Sequence, residues 1–338
     1  MRDPLPIDPM RIDQWLSIEY DLSLGDIEPL GLGADLDART YRLVDRKGTE
    51  FFLKLRRGRP DPATLSVPQW LANQGLAHVV APLATRTGEL WAKFGSLHAV
   101  LYPFVEGHSG WQVELTPGQW RTLGKTLRSV HEATLPHTLL QRLPRETYSP
   151  VWRQRVAAWL ARLPAVTSGS EPGRRMIGLL KRQQSVIRHI VDRATALAGE
   201  LRRQDLPCCL CHGDLHAGNV LVSNERLALI DWDTLWLAPR ERDLMFIGGG
   251  VGGNWNREEE KAWFQSGYGE YAPNPTAVSY YRLERIVQDI DEFCAACLDE
   301  DPAASDPHEL YDMFAMQFEP GNVVEIALAT DGSLRAER

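Results

Sequence analysis

The period of the apolar positions changes near residue 105 and divides the chain. Ahead of that point, Met10, Ile12, Trp15, Leu16 and Tyr20 recur at helical spacing and predict an opening helix over residues 8–20. Two β-rich runs at 40–44 and 50–55 flank Asp45-Arg-Lys-Gly48 and predict a hairpin. A basic, proline-containing stretch at 56–62 leads to a short helical pattern at 63–74. Further strands are predicted at 77–83, 90–93 and 98–105, with Pro103 and Gly107 stopping the last one. Beyond residue 105 the spacing is helical over 117–134, 150–163 and one long basic run at 172–204, and again from 257. Short strands at 208–211, 220–222 and 227–231 interrupt it. No internal repeat or low-complexity tract is present. The pattern predicts an α+β chain, with a β-rich lobe over residues 1–103 and a mostly helical lobe over 104–338.

Composition narrows the partners. The chain has 338 residues, 43% of them apolar, which is enough for a sizeable core in two parts. Its 45 acids against 37 bases give a net charge of −8, which argues against nonspecific binding to nucleic acid or anionic membrane and tolerates a cationic partner. No stretch approaches the roughly 20 apolar residues of a membrane span. The opening residues, MRDPLPIDPM, hold no apolar run of the kind a secretory signal needs, so a cytoplasmic location is expected. The five cysteines (Cys208, Cys209, Cys211, Cys294 and Cys297) are odd in number and clustered, which argues against a disulfide framework. Cys294-x-x-Cys297 has zinc-ligand spacing but lies in an apolar helical pattern with Ile290, Phe293 and Leu298, so buried packing is expected there.

The most informative segment is Leu210-Cys-His-Gly-Asp-Leu-His-Ala-Gly-Asn-Val-Leu-Val222. Asp214 and Asn219 stand five apart on a loop between two apolar runs, and twelve residues further on Asp231 ends a predicted strand. Phosphoryl transfer from a nucleotide needs these parts. One aspartate orients the acceptor hydroxyl, while an amide oxygen and a second carboxylate hold the magnesium ions that bridge the phosphates. The order His-x-Asp-x4-Asn, followed by Asp on the next strand, matches a kinase catalytic loop and metal-binding segment.

This segment resembles the aminoglycoside phosphotransferase family, small-molecule kinases with a bilobal protein-kinase-like fold. Gly213 stands where protein kinases carry arginine, and the Leu-His-x-Gly-Asn run is typical of the family. Arg240-Glu-Arg-Asp-Leu-Met-Phe-Ile-Gly-Gly-Gly250, Tyr280-Tyr-Arg-x-Glu-Arg-Ile286 and Asn322-Val-Val-Glu-Ile-Ala327 are similar to its spectinomycin phosphotransferases. The resemblance implies Asp214 as catalytic base, Asn219 and Asp231 as Mg2+ ligands, and His212 and Asp243 as braces of the catalytic loop. It implies that Lys54 meets the nucleotide phosphates under a loop holding Gly31 and Gly33. Backbone groups of the interlobe strand, around Tyr102 and Phe104, would read adenine, with ATP as the default nucleotide. The family's lysine pairs with a glutamate on the following helix, yet the sole acid between Leu55 and Gly88 is Asp61, so either Asp61 substitutes with a shorter reach or Lys54 is held by the phosphates alone.

Gly248-x-Gly250-x-x-Gly253 fits a dinucleotide fingerprint, but it follows the catalytic segment in a helical region and is expected to give either flexible backbone near the acceptor site or a tight helix contact. Residues 280–319 hold eleven acids against Arg282 and Arg285, a local net of −9 that exceeds the whole chain's −8. Glu284 and Asp291 fall on one helix face, and Arg285 and Asp289 form an (i, i+4) pair. Carboxylates here (Glu284, Asp289, Asp291 and Glu292), with Asn254 and Trp255, are expected to line a pocket for a protonated aminocyclitol. The expected activity is therefore ATP- and Mg2+-dependent O-phosphorylation of spectinomycin or a close relative. The alternatives are a kinase for another small hydroxyl compound and a nucleotide-binding regulator without transfer activity.

Overall fold

A computed structural model describes residues 8–30, 38–224, 226–298 and 307–332; Gly31 and Gly33 lie outside these described residues. Helix α1 (Pro9–Tyr20) begins where the Asp8 carboxylate accepts the Met10 amide at 2.9 Å and Pro9 presets the first turn. It buries Ile12, Trp15 and Leu16 against a five-stranded antiparallel sheet. The strands β1 (Leu24–Leu30), β2 (Ala38–Asp45), β3 (Glu50–Arg56), β4 (Ala92–Phe94) and β5 (Leu97–Pro103) run in the order β1-β2-β3-β5-β4. The β2–β3 turn closes because the Asp45 carboxylate accepts the Lys47 and Thr49 amides, both at 2.8 Å, and Gly48 takes a left-handed φ of 83°. Along β3, Phe51, Leu53 and Leu55 point into the core with Leu43 and Leu101, which leaves Phe52, Lys54 and Arg56 on the opposite face. Helix α2 (Pro62–Asn73) joins β3 to β4, but its buried Ala63, Val67 and Leu71 belong to the core of the helical part.

The chain leaves the sheet at Pro103. A short β6 (His108–Ser109) then pairs with β8 (Val220–Ser223), which pairs in turn with β9 (Arg226–Leu229), while β7 (Cys209–Cys211) pairs with β10 (Trp236–Ala238). Helices surround these ribbons: α3 (Pro117–His131), α4 (His137–Leu140), α5 (Val151–Arg162), α6 (Glu171–Arg182), α7 (Gln184–Gln204), α8 (Glu241–Leu244), α9 (Glu258–Tyr268), α10 (Pro275–Leu298), α11 (Pro307–Met316) and α12 (Val323–Thr330). No described helix is long and apolar enough to cross a membrane.

Two predicted elements differ, and strand β1 is not among those predicted. The run at 172–204 is two helices, because the polar Arg182-Gln183-Gln184 junction lacks an apolar anchor; α6 packs on α11, while α7 packs on α5 and α10. The segment at 77–83 is not a strand of the sheet. Val79 bridges Leu229 of β9, and the Leu83 amide makes a lone bond to the Leu101 carbonyl of β5 at 2.7 Å. Strand β1 carries Gly25, Asp26 and Pro29, residues that strands avoid, and holds its place as an edge through pairing with β2. As expected, Cys294 and Cys297 are buried side chains of α10.

Helices α3 and α9 meet backbone to backbone. A Cβ on Gly124 would stand 2.4 Å from the Phe264 carbonyl, and one on Gly267 would stand 2.0 Å from the Arg121 carbonyl. That close approach brings His131, at the end of α3, to the Tyr268 hydroxyl at 2.7 Å. Gly267→Ala should therefore lower stability by about 2–3 kcal/mol. In urea unfolding the midpoint should fall with an unchanged slope, and an unchanged midpoint would contradict the contact.

Candidate active site

The loop after β7 turns at Gly213, whose φ is 85° and where a Cβ would lie 2.0 Å from the Thr234 carbonyl. Both the left-handed conformation and the close approach require glycine. The turn is pinned from beneath by Asp243, on α8, which is fully buried. Its Oδ2 accepts the His212 amide at 2.9 Å and its Oδ1 the Gly213 amide at 2.8 Å, while His131 Nε2 lies 3.0 Å from Oδ2. Burial alone would raise this carboxyl's pKa; the His131 bond, aided by His212 and the Gly213 amide, outweighs burial and holds it below the usual value. His212 Nε2 reaches the Ile230 carbonyl at 2.9 Å and so links the loop to the segment carrying Asp231. The sequence singled out His212 and Asp243, but not His131 or Tyr268, which come from helices distant in sequence.

Asp214 follows and faces Arg285 of α10, whose guanidinium is ion-paired with its Oδ1. Burial pushes Asp214 up, yet Arg285 above all, with His216 and His212, keeps its carboxyl below the usual range. The Asn219 amide nitrogen donates to the Asp214 carbonyl at 2.8 Å across the short turn Ala217–Asn219. His216 Nδ1 accepts the Gly218 amide at 3.0 Å, which leaves the ring proton of the neutral form on Nε2, 3.6 Å from Asp214 Oδ2. Burial lowers the His216 pKa to about 4, against the pull of Asp214, so the ring is neutral near pH 7. Trp111 stacks on this ring, with centroids 4.6 Å apart and planes 6° from parallel. Neither Trp111 nor His216 was assigned from the sequence, because only the folded loop sets them beside Asp214.

Across the cleft, Asp231 adopts a left-handed φ of 59°, and Trp232 turns inward to donate its indole N–H to the Leu229 carbonyl at 3.1 Å. The carboxylates on either side of that tryptophan both reach toward β3. Lys54 Nζ lies 2.8 Å from Asp233 Oδ2 and 3.4 Å from Asp231 Oδ1. Loss of hydration beside the surrounding protein raises the pKa of the partly exposed Asp231, with Lys54 opposing and Asp233 adding to the rise. Asp61 is not the lysine's partner: its carboxylate caps α2 by accepting the Ala63 amide at 2.9 Å. Tyr102 lies on β5 across from Phe52, near both Asp231 and Asp233. The amide of Phe104 is not open to an adenine, since it donates to the Glu50 carbonyl at 3.2 Å, extending the β3 pairing past the end of β5.

Three acids of the acid-rich segment, Glu284, Asp289 and Asp291, are buried. Glu284 and Asp291 do share a helix face, but that face packs on α5. Glu284 is buried 2.5 Å from Arg153, and Asp291 accepts the Trp159 indole N–H at 2.9 Å, so neither is available to an acceptor. Trp255 is also a core residue, 5.1 Å from Trp120 rather than lining a pocket, and the Asn254 side chain turns back to the Val251 carbonyl at 3.1 Å. The glycines after Ile247 open no βαβ unit; Gly249 packs against Arg282, as its added Cβ would meet that guanidinium. Asp289 stays near the centre, accepting Arg285 Nε at 2.8 Å and Gln317 Nε2 at 2.9 Å, and the exposed Glu292 lies in the same field. Arg285 and Asp289 line a pocket with Phe246, Gly249, Val251 and Val323.

The model of the phosphotransferase enzyme family matches residues 27–280. A crystal structure of spectinomycin phosphotransferase, APH(9)-Ia, in complex with ADP and spectinomycin is 36% identical with a TM-score of 0.90, covering 96% of this chain and 99% of that one. The AMP-bound complex of the same enzyme is 34% identical with a TM-score of 0.85, covering 96% and 100%. Protein StrN of Streptomyces griseus is 28% identical over 189 residues, which are 54% of this chain and 58% of that protein. The matched region contains the hairpin lysine, the Asp243-pinned loop and the Asp231 segment, and the chain belongs to the phosphotransferase enzyme family.

Proposed function

We propose that the chain transfers the γ-phosphoryl group of ATP, with Mg2+, to a hydroxyl of spectinomycin or a close aminocyclitol. One observation carries the reading. The loop joining Asp214 to Asn219 is tied by the Ile230 amide, which donates to the Asn219 carbonyl, to the segment whose Asp231 meets Lys54, in a chain similar over nearly its full length to an enzyme bound to ADP and spectinomycin.

In this reading Asp214 accepts a hydrogen bond from the acceptor hydroxyl and takes its proton as the oxygen attacks phosphorus. Its lowered pKa keeps it ionised for that task. Magnesium favours hard oxygen donors, and the residues present fit it. The Asn219 amide nitrogen is held by the Asp214 carbonyl, which leaves the side-chain oxygen for the ion, and Asp231 supplies a carboxylate. Bound there, the metal would neutralise charge on the phosphates. Lys54 adds a second positive group from the sheet side. An acceptor ammonium would meet Asp289 and Glu292, once Arg285 yields its place beside Asp214. ATP supply agrees with the cytoplasmic location expected from the sequence.

Asp214→Asn should lower kcat by about 10²–10⁴-fold while ADP affinity stays near wild type; turnover within a few fold of wild type would contradict the base assignment. An ADP-release assay with spectinomycin, streptomycin, kanamycin, choline and homoserine tests the acceptor. Spectinomycin should give the highest kcat/KM. Strong release with another compound and none with spectinomycin would reassign the substrate and leave the kinase chemistry in place.

A further inference from the structure

The helix after Lys54 offers that lysine no acid. Its sequence is PATLSVPQWLAN, and Asp61 just before it is engaged in the helix cap. Among the described residues, the acid nearest the lysine comes from the segment after β9. We infer that Asp233 positions Lys54 toward the nucleotide phosphates, so that the lysine is seated from the helical lobe.

The backbone sets this up. Lys54 is fixed in mid-sheet, opposite Thr40 on β2 and Val100 on β5, so the choice of partner falls to whatever faces that side of β3. Residues 231 and 233 flank the inward-turned Trp232, which sends both carboxylates to that face. They are not equivalent. Asp233 lies closer, at 2.8 Å, and its side chain is 26% exposed, against 3.4 Å and 45% for Asp231. The more open carboxylate is the one suited to a hydrated metal ion, and the more enclosed one suits a charge-assisted bond to lysine. Asp233 Oδ2 also lies 3.3 Å from Arg56, two residues along the same face of β3. Thr234, next in sequence, donates its hydroxyl to the His212 carbonyl at 3.1 Å, so the anchor is continuous with the catalytic loop. One segment thereby places the metal carboxylate, the lysine and the loop in register.

The inference rests on the phosphotransferase reading, and its test separates the two. Steady-state ADP release with the best acceptor, together with calorimetric affinity for MgATP, is measured for wild type, Asp233→Asn, Asp233→Glu, Lys54→Met, Arg56→Gln and the Asp233→Asn/Lys54→Met double variant. Losing one charge-assisted bond to the lysine should lower kcat about tenfold in Asp233→Asn. Removing a carboxylate near the phosphates also removes repulsion, so MgATP affinity should hold or tighten. Asp233→Glu should recover part of kcat, and the double variant should be no slower than Lys54→Met alone, since the two residues act through one contact. Unchanged kcat in Asp233→Asn, additive losses in the double variant, or an equal loss in Arg56→Gln would overturn the inference. A wild type that neither binds ATP nor releases ADP would overturn the phosphotransferase reading itself.

Discussion

The site depends on one buried carboxylate. Asp243 has no solvent exposure, and an ionised carboxylate in such a place is tolerable only if its lone pairs are filled by donors. It meets that condition with the amides of His212 and Gly213 and the ring of His131. Two consecutive loop amides thus converge on one side chain, and the chain must turn sharply at residue 213 to present both. Only glycine fits the turn. From there Asp214 emerges facing the cleft, and Asn219 closes the loop by donating to the Asp214 carbonyl. His131 is itself held by the Tyr268 hydroxyl, and Tyr268 is brought there by the glycine-mediated contact of α3 with α9. The loop's shape therefore traces back to a helix–helix packing distance.

Charge is distributed by the same logic. The acid-rich stretch reads as a surface, yet three of its acids are matched to arginines and an indole inside the fold: Glu284 to Arg153, Asp291 to Trp159 and Asp289 to Arg285, while Glu292, Glu309, Asp312 and Glu319 stay exposed. What stays near the acceptor side is a small network in which Arg285 bridges Asp214 and Asp289. That arginine keeps the Asp214 carboxyl acidic and occupies space that a cationic acceptor would share. Burial, rather than charge count, decides which carboxylates remain available.

Features fixed by neighbours in sequence were legible in it. Asp45 and Gly48 dictate the hairpin through local bonds, the spacing of Ile12, Trp15 and Leu16 gives α1, and the apolar setting of Cys294 and Cys297 reveals their packing. The grouping of Asp214, Asn219 and Asp231 was also readable, because one short loop and the segment just after β9 carry all three. What failed depended on distant partners. Glu284 and Asp291 were correctly placed on one face, but nothing local says that α5 covers it. Trp255 looks like a pocket residue until Trp120 packs on it. The lysine's acid was sought on the following helix, whereas Asp233, 179 residues away, supplies it. Strand β1 has a poor strand composition and exists through pairing with β2.

Amide hydrogen exchange at His212 and Gly213 tests the central claim, that Asp243 holds the loop after β7, most directly. The account predicts that both amides are protected in the wild type to a degree comparable with the core of α10, although they lie in a loop, because each donates to a fully buried carboxylate. Exchange at the rate of an open surface loop, in protein whose helical core remains protected, would contradict it.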